Sequence, residues 1–157
     1  MHPKCRPEII EKGEFVDLKS RDYIYYKGPQ IDGSGQWVIK ALLIPLGVAM
    51  ELPKGFEAII IPRSSMAKNF GIIESNSVGL IDNSYCGNSD EWKLPALAFR
   101  EGQIVPGERV CQFKIQLSQK ATVWQKLKWL LSSGIEFEYV DNLNNVNRGG
   151  FGSTGTV

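Results

Sequence analysis

A chain of 157 residues that is 43% hydrophobic and 22% charged is long enough to bury a core of its own, and one compact domain is expected. Eighteen Lys and Arg against seventeen Asp and Glu leave a formal net charge of +1. That excludes a global field recruiting nucleic acid or an anionic membrane, so any anionic ligand must be held by a local cluster.

No apolar run reaches the roughly eighteen residues of a membrane span, and the N-terminal MHPKCRPEII lacks the apolar stretch of a secretory leader. The cytoplasm is the expected location. Cys5, Cys86 and Cys111 are odd in number and form no C-x-x-C pair, which argues for reduced thiols rather than a disulfide framework or a zinc knuckle. His2 is the sole histidine, so chemistry here has to come from carboxylates, hydroxyls and arginines.

In chain order, residues 22–26 and 37–43 are strand-like. Residues 48–52 lead through Pro53-Lys54-Gly55 into 56–61 and predict a hairpin. Residues 66–70 predict one helical turn. Val78, Leu80 and Ile81 predict a strand closed by the turn residues Asn83, Ser84 and Gly87. Further strands are predicted at 94–99, at 109–117 with Cys111, Phe113, Ile115 and Leu117 alternating onto one face, and at 135–140. The segment 121–131, ATVWQKLKWLL, is the one longer helical candidate. Its stripe of Val123, Trp124, Leu127, Leu130 and Leu131 is expected to pack on its own domain, with covering of an oligomer surface or docking of a partner protein as the alternatives. Short strands separated by Gly/Pro turns give an all-β sandwich or barrel with one short helix and an extra helix near 121–131.

Polar chemistry gathers at strand ends. NSVGLIDNSYCG, residues 76–87, sets Asp82 at the exposed end of an apolar strand, where a general base can face a pocket on rigid backbone; capping of the turn is the plainer role. PRSSMAKNFG, residues 62–71, puts Arg63, Ser64 and Ser65 where an apolar strand turns into a helix, a combination suited to phosphate oxygens or to simple N-capping. GERVCQFKI, residues 107–115, carries Gln112 as a polar residue in an apolar run. RGGFGSTGT, residues 148–156, places Arg148, Phe151, Ser153 and Thr154 among glycines. It reads either as a tail or as a lid ordering on a nucleotide, with Phe151 stacking on a base.

Together with GEFVDLKS at residues 13–20, these segments in this order resemble the five motifs of the trimeric-type dUTPases, the deoxyuridine triphosphate nucleotidohydrolase family. The resemblance implies a jelly-roll-like β domain over residues 1–142, a Gly-rich lid over 143–157, and a homotrimer whose active sites are shared, each lid coming from a neighbouring subunit. It implies hydrolysis of dUTP to dUMP and pyrophosphate. Asp82 takes the place of the base that activates water, and Asn76 that of the uracil reader. Tyr85 matches the aromatic under the deoxyribose that refuses a 2′-hydroxyl. Arg63, Ser64, Ser65 and Gln112 match phosphate contacts, and Arg148, Phe151, Ser153 and Thr154 match the γ-phosphate clamp and stacking lid. Asp17 matches the acid that holds Mg²⁺ through a water, the metal being bound mainly by the triphosphate.

This sequence departs from the common pattern in three places. The Arg148-Gly149-Gly150-Phe151 spacing is shorter than usual, which makes Trp92 a second candidate for stacking on uracil. Ser65 stands where many members have Gly, and in the first motif only Asp17-Leu18 matches firmly. Two other activities stay open on the sequence. One is a dCTP deaminase of the same fold, for which Glu91 is the nearby acid; the other is a non-catalytic nucleotide- or protein-binding module.

Overall fold

A computed structural model describes residues 3–9, 13–132 and 134–150. After a 3-10 turn at Pro3–Cys5 come β1 (Glu8–Ile9), β2 (Val16–Lys19), β3 (Ile24–Tyr26), β4 (Gln30–Ile31), β5 (Trp37–Val38), β6 (Ala41–Pro45) and β7 (Phe56–Pro62). Helix α1 (Met66–Phe70) follows, then β8 (Ile72–Glu74), β9 (Gly79–Ile81), β10 (Lys93–Ala98), β11 (Gly102–Ile104), β12 (Arg109–Leu117) and helix α2 (Val123–Leu130). The architecture is mostly β, as the sequence predicts.

One sheet has the order β1-β2-β12-β7-β9 and another the order β6-β10-β8, with two-stranded ribbons β11-β3 and β4-β5 beside them. The ladder between β12 and β2 is antiparallel and shifts register between Arg109 and Cys111.

The chain divides into two compact units. The first comprises Met1–Val48, Ile59–Gly79 and Glu91–Lys114 as far as these are described; the second comprises Ala49–Ala58, Leu80–Asp90 and the described residues from Ile115 onward. In the first unit the inner faces of the strands bury Val16, Leu18, Ile44, Ile60, Ile72, Leu94, Ala96, Val110 and Phe113. Trp92, just before β10, meets Phe113 of β12 edge-on with ring centroids 5.2 Å apart, an arrangement aromatic quadrupoles favour.

Alternation on β10 follows from period-two geometry. Leu94, Ala96 and Ala98 point inward, while Pro95 pairs with Leu43, and Leu97 pairs with Ile73 and Ala41, on the outward face. Helix α1 ends at Gly71, whose φ of 67° is the left-handed conformation that a side chain disfavours. Arg100 covers that end, its Nη2 donating to the carbonyls of Lys68 and Asn69 at 3.0 and 2.8 Å.

In the second unit α2 begins with a capping box. Thr122 Oγ1 accepts from the Gln125 amide at 3.3 Å, and Gln125 Oε1 accepts from the Thr122 amide at 2.7 Å. Gln125 Nε2 also donates to the Lys54 carbonyl at 3.0 Å. Trp129 packs against Phe56 with ring centroids 5.0 Å apart.

The expected packing of α2 is corrected by this arrangement. Val123, Trp124, Leu127, Leu130 and Leu131, the stripe assigned to the domain core, are all exposed, because Trp129 and Gln125 present the side that reaches the 53–56 turn. The predicted hairpin of 48–52 with 56–61 is absent too. The Pro53-Lys54-Gly55 turn closes through the Phe56 amide on the Pro53 carbonyl at 3.0 Å, but the Val48 carbonyl accepts from Trp92 at 2.8 Å. Residues 135–140, predicted as a strand, belong to none.

Candidate active site

Two groups of polar residues stand out, one in each unit. In the first, Asp17 sits in the buried middle of β2 with only 2% of its surface exposed. Alternation along a half-buried strand would send such a carboxylate into apolar surroundings unless cations met it. Two do: Arg63 Nε lies 3.1 Å from Oδ1 and Arg109 Nη1 lies 3.1 Å from Oδ2.

Arg63 follows directly on β7, and Arg109 opens β12. Gln112 is the cross-strand partner of Asp17 and so shares its face. Ser64 is exposed and Ser65 half-buried. Ser65 occupies the N-cap position of α1, yet its hydroxyl makes no capping hydrogen bond, so the capping role is not the one it fills. Two guanidiniums around one carboxylate leave a local surplus of positive charge suited to an anion.

Asn76 is exposed at the turn between β8 and β9, where Ser77 adopts a φ of 63° and the Asn76 carbonyl accepts from the Val78 amide at 2.7 Å. Just before this turn, Glu74 is buried, and among the described residues neither carboxylate oxygen has a hydrogen-bond partner. Burial pushes its carboxyl up to about 7, while the nearby Gly79 amide pulls the other way.

In the second unit, Asp82 stands immediately after β9 and is exposed. Oδ1 accepts from the Ser84 amide at 2.8 Å and from Ser84 Oγ at 2.5 Å, an Asx turn that fixes the carboxylate plane. Oδ2 accepts from Arg148 Nη1 at 2.5 Å. Partial burial raises the Asp82 pKa, but the Ser84 hydrogen bonds and the Arg148 charge outweigh it and hold the carboxyl below the usual range. Turn capping and an oriented, ionised carboxylate are thus the same geometry.

Tyr85 is buried in the same turn, its amide donating to the Asp82 carbonyl at 3.1 Å, and Gly150 lies against its ring. The arm that carries Arg148 is tied to the loop after Asp82. Asn88 Nδ2 donates to Asn142 Oδ1 at 2.7 Å, and the Ser89 amide donates to Asn147 Oδ1 at 2.7 Å. Asp90 accepts from the amides of Arg148 and Gly149, both at 2.8 Å.

Phe151, Ser153 and Thr154 lie outside the described residues. Trp92 is completely buried beside Phe113 and presents no face to a base, which removes it as the second stacking candidate. Arg109 and Asp90 are the residues sequence reasoning did not single out. Arg109 had a signal in its position at the strand start beside Gln112; Asp90 had none, because its partners are backbone amides.

A metal would need its own donors if the protein held it. Among the described residues no group of three or more His, Cys, Asp or Glu is placed to bind one. Asp17, the residue matched to a metal contact, has an arginine at each oxygen. The donor set therefore does not fit a metal lodged in the protein itself.

The profile of the dUTPase family matches residues 39–155, most of the chain. This chain belongs to the dUTPase family. Among its dUTPase relatives is the SPbeta prophage-derived deoxyuridine 5'-triphosphate nucleotidohydrolase of Bacillus subtilis, 42% identical over 153 residues that span 98% of this chain and 92% of that protein. The deoxyuridine 5'-triphosphate nucleotidohydrolase of Escherichia phage T5 is 31% identical, over 99% of this chain and 95% of that one. Among solved structures, the dUTPase of Streptococcus mutans superposes with a TM-score of 0.63 at 21% identity, covering 74% of this chain and 88% of its own. A point mutant of the dUTPase from phage phi11 of S. aureus, described with a structural Mg(II) ion, gives 0.59 at 16% identity, covering 87% and 94%. At these identities the superpositions speak for the dUTPase jelly-roll fold alone.

Proposed function

We propose that this dUTPase hydrolyses dUTP to dUMP and pyrophosphate, with Asp82 as the general base. The observation that carries this reading is the state of the Asp82 carboxylate, which is ionised, fixed in plane by Ser84 and set beside a cation at the end of a rigid strand. A base must be unprotonated and within reach of a water; turn geometry supplies the first and exposure permits the second.

In the proposed step, a water oxygen bonds to the α-phosphorus in line with the bridging oxygen of the β-phosphate. Its proton passes to Asp82, and the bridging P–O bond breaks to release pyrophosphate. Arg148 and Arg63 stabilise charge on the phosphate oxygens, with Ser64, Ser65 and Gln112 as further contacts. Asn76 reads the uracil edge, and Tyr85 packs under the sugar. Phe151, Ser153 and Thr154 complete the lid. Mg²⁺ carried by the triphosphate would neutralise part of its charge.

The dCTP deaminase alternative loses support because Glu91 is already committed, accepting from Arg21 Nη1 at 2.7 Å and from the Gly47 amide at 2.9 Å. The proposal includes a homotrimer. The exposed apolar side chains Leu43 and Ile73 on the outward face of the β6-β10-β8 sheet support an assembled state.

Turnover in ¹⁸O-labelled water tests the reaction. Label in dUMP and none in pyrophosphate is expected; label in pyrophosphate would place the attack at another phosphorus and remove this mechanism.

A further inference from the structure

One buried carboxyl in the first unit has no task in the hydrolysis. Glu74 ends β8, shares the inward face of that strand with Ile72, and is 6% exposed. Asp17, buried likewise, is met by two guanidiniums; among the described residues neither oxygen of Glu74 has any hydrogen-bond partner. A buried acid without donors is tolerated only while it keeps its proton.

Among the described residues, what packs against this carboxyl carries no cation. Ala96 of β10 is its cross-strand partner. A Cβ on Gly79 of β9 would stand 3.1 Å from Ile60 Cβ of β7 and 3.2 Å from Glu74 Oε1, so β9 comes down on the carboxyl through a residue with no side chain to interpose. Cys111 of β12 is the titratable neighbour, its thiol pushed well up by burial and then by the charges of Glu74 and Asp17.

Asn76 follows two residues later, in a turn that joins the last strand of one sheet to the last strand of the other. Edge strands have a single ladder to lose, and Ser77 holds a left-handed φ of 63° that a serine disfavours. Two bonds define the turn: the Ser75 amide donates to the Pro95 carbonyl at 3.0 Å, and the Val78 amide to the Asn76 carbonyl at 2.7 Å. The Asn76 side chain is exposed, so its aim follows this backbone.

We propose that Glu74 is a positioning residue for Asn76: as an uncharged acid it lets β9 close on β8 and sets the turn between them, and as a carboxylate it drives these two edge strands apart and loosens the grip on the base. This rests on the reading of Asn76 as the uracil contact. The closed turn holds the proton up to a pH of about 7, whereas an opened, hydrated Glu74 releases it near the ordinary 4.5. Closure is therefore favoured below that window, weakens as pH rises through it, and changes no further once both forms are ionised.

Glu74→Gln keeps the shape of the side chain and removes the titration. Binding of a non-hydrolysable dUTP analogue, measured from pH 5 to 9 on both proteins, reports the grip on the base. Hydrogen exchange of the Ser75 and Val78 amides, corrected for the intrinsic effect of pH, reports the turn. The ratio of wild-type to variant affinity is expected to fall about tenfold between pH 5 and 8 and to stay level above that, with protection of both amides falling in the wild type alone.

A ratio that is flat with pH would overturn the proposal, and so would protection that falls equally in both proteins. Protection lost in the wild type alone, with the affinity ratio unmoved, would show that the turn opens but does not position the base contact. No binding of the analogue to the wild type at pH 5 would instead sink the nucleotide reading on which the proposal rests. Should Glu74→Gln fail to fold, Glu74→Leu, which also cannot titrate, decides by the same readouts.

Discussion

Arg148 Nη1 lies 2.5 Å from Asp82 Oδ2, and the opposite oxygen of that carboxylate is held by Ser84. Both oxygens of the proposed base are thereby oriented by the protein's own groups, and both hydrogen-bonding partners favour its ionised form.

Replacing Asp82 by Asn removes the basic oxygen and keeps the size of the side chain. Turnover is expected to fall on the order of a hundredfold or more, with nucleotide binding retained. Pyrophosphate release, together with thermal stabilisation by a non-hydrolysable dUTP analogue, checks this. Retained turnover would take Asp82 out of the role.

Glu74 should make stability depend on pH in the direction opposite to the anchored aspartates. Its folded pKa of about 7 lies above the ordinary value of 4.5. Between those values the folded state keeps a proton that the unfolded state has released, so this group's contribution to stability declines as pH rises through that window. Asp82 and Asp90 have folded pKa values below the ordinary one, and their contribution is lost only as pH falls through those lowered values. Glu74→Gln is expected to raise Tm by a few degrees at pH 8 with little change at pH 5. Parallel Tm curves for wild type and variant would show that Glu74 is not buried as a proton-holding acid.

On α2, Trp129 and Trp124 should separate cleanly. Trp129 packs on Phe56, whereas Trp124 is 79% exposed. Trp129→Ala is expected to lose about 2 kcal/mol from area and ring contact, and Trp124→Ser to stay within about 0.5 kcal/mol of the wild type. Urea denaturation of the two variants measures the difference; equal losses would mean that the exposed stripe is covered in solution.

Asp17→Asn removes the charge that both Arg63 and Arg109 meet. Because the two arginines are partly exposed and keep some hydration, the expected loss is about 2 kcal/mol rather than the larger cost of a fully buried pair. On the proposal that any Mg²⁺ is carried by the triphosphate and not by Asp17, the Mg²⁺ dependence of the remaining turnover should be unchanged. A weakened apparent Mg²⁺ affinity in the variant would instead assign Asp17 to the metal.

Where a pattern is local, the sequence reveals it. Strand β12 and helix α1 were legible to the residue, the first by alternation of Cys111, Phe113, Ile115 and Leu117, the second by the serines before it and Gly71 after it. The existence of α2 was legible from its stripe, but its orientation was not, since periodicity finds an apolar face without saying what lies opposite. Residues 48–52 looked like half a hairpin, and a non-local bond from Trp92 to Val48 gave them a different partner. Asp82, Tyr85 and Arg148 were singled out by their motifs, and the structure places Asp82 against Arg148 and Tyr85 in the turn that Asp82 opens. The tie of Asp90 to the arm did not, because backbone amides leave no trace in residue identity. Likewise Asn147 fell in the Gly-rich segment 143–157 expected to be a lid, and nothing in that composition showed that its side chain meets the Ser89 amide.

The central claim is dUTP hydrolysis, and pyrophosphate release from dUTP, dCTP, dTTP and UTP at matched concentrations with Mg²⁺ tests it most directly. Rapid release from dUTP alone is the predicted result, with UTP refused at Tyr85 and the other bases at Asn76. No release from any of the four, with dUTP still raising Tm, would contradict it and leave a nucleotide-binding module in its place.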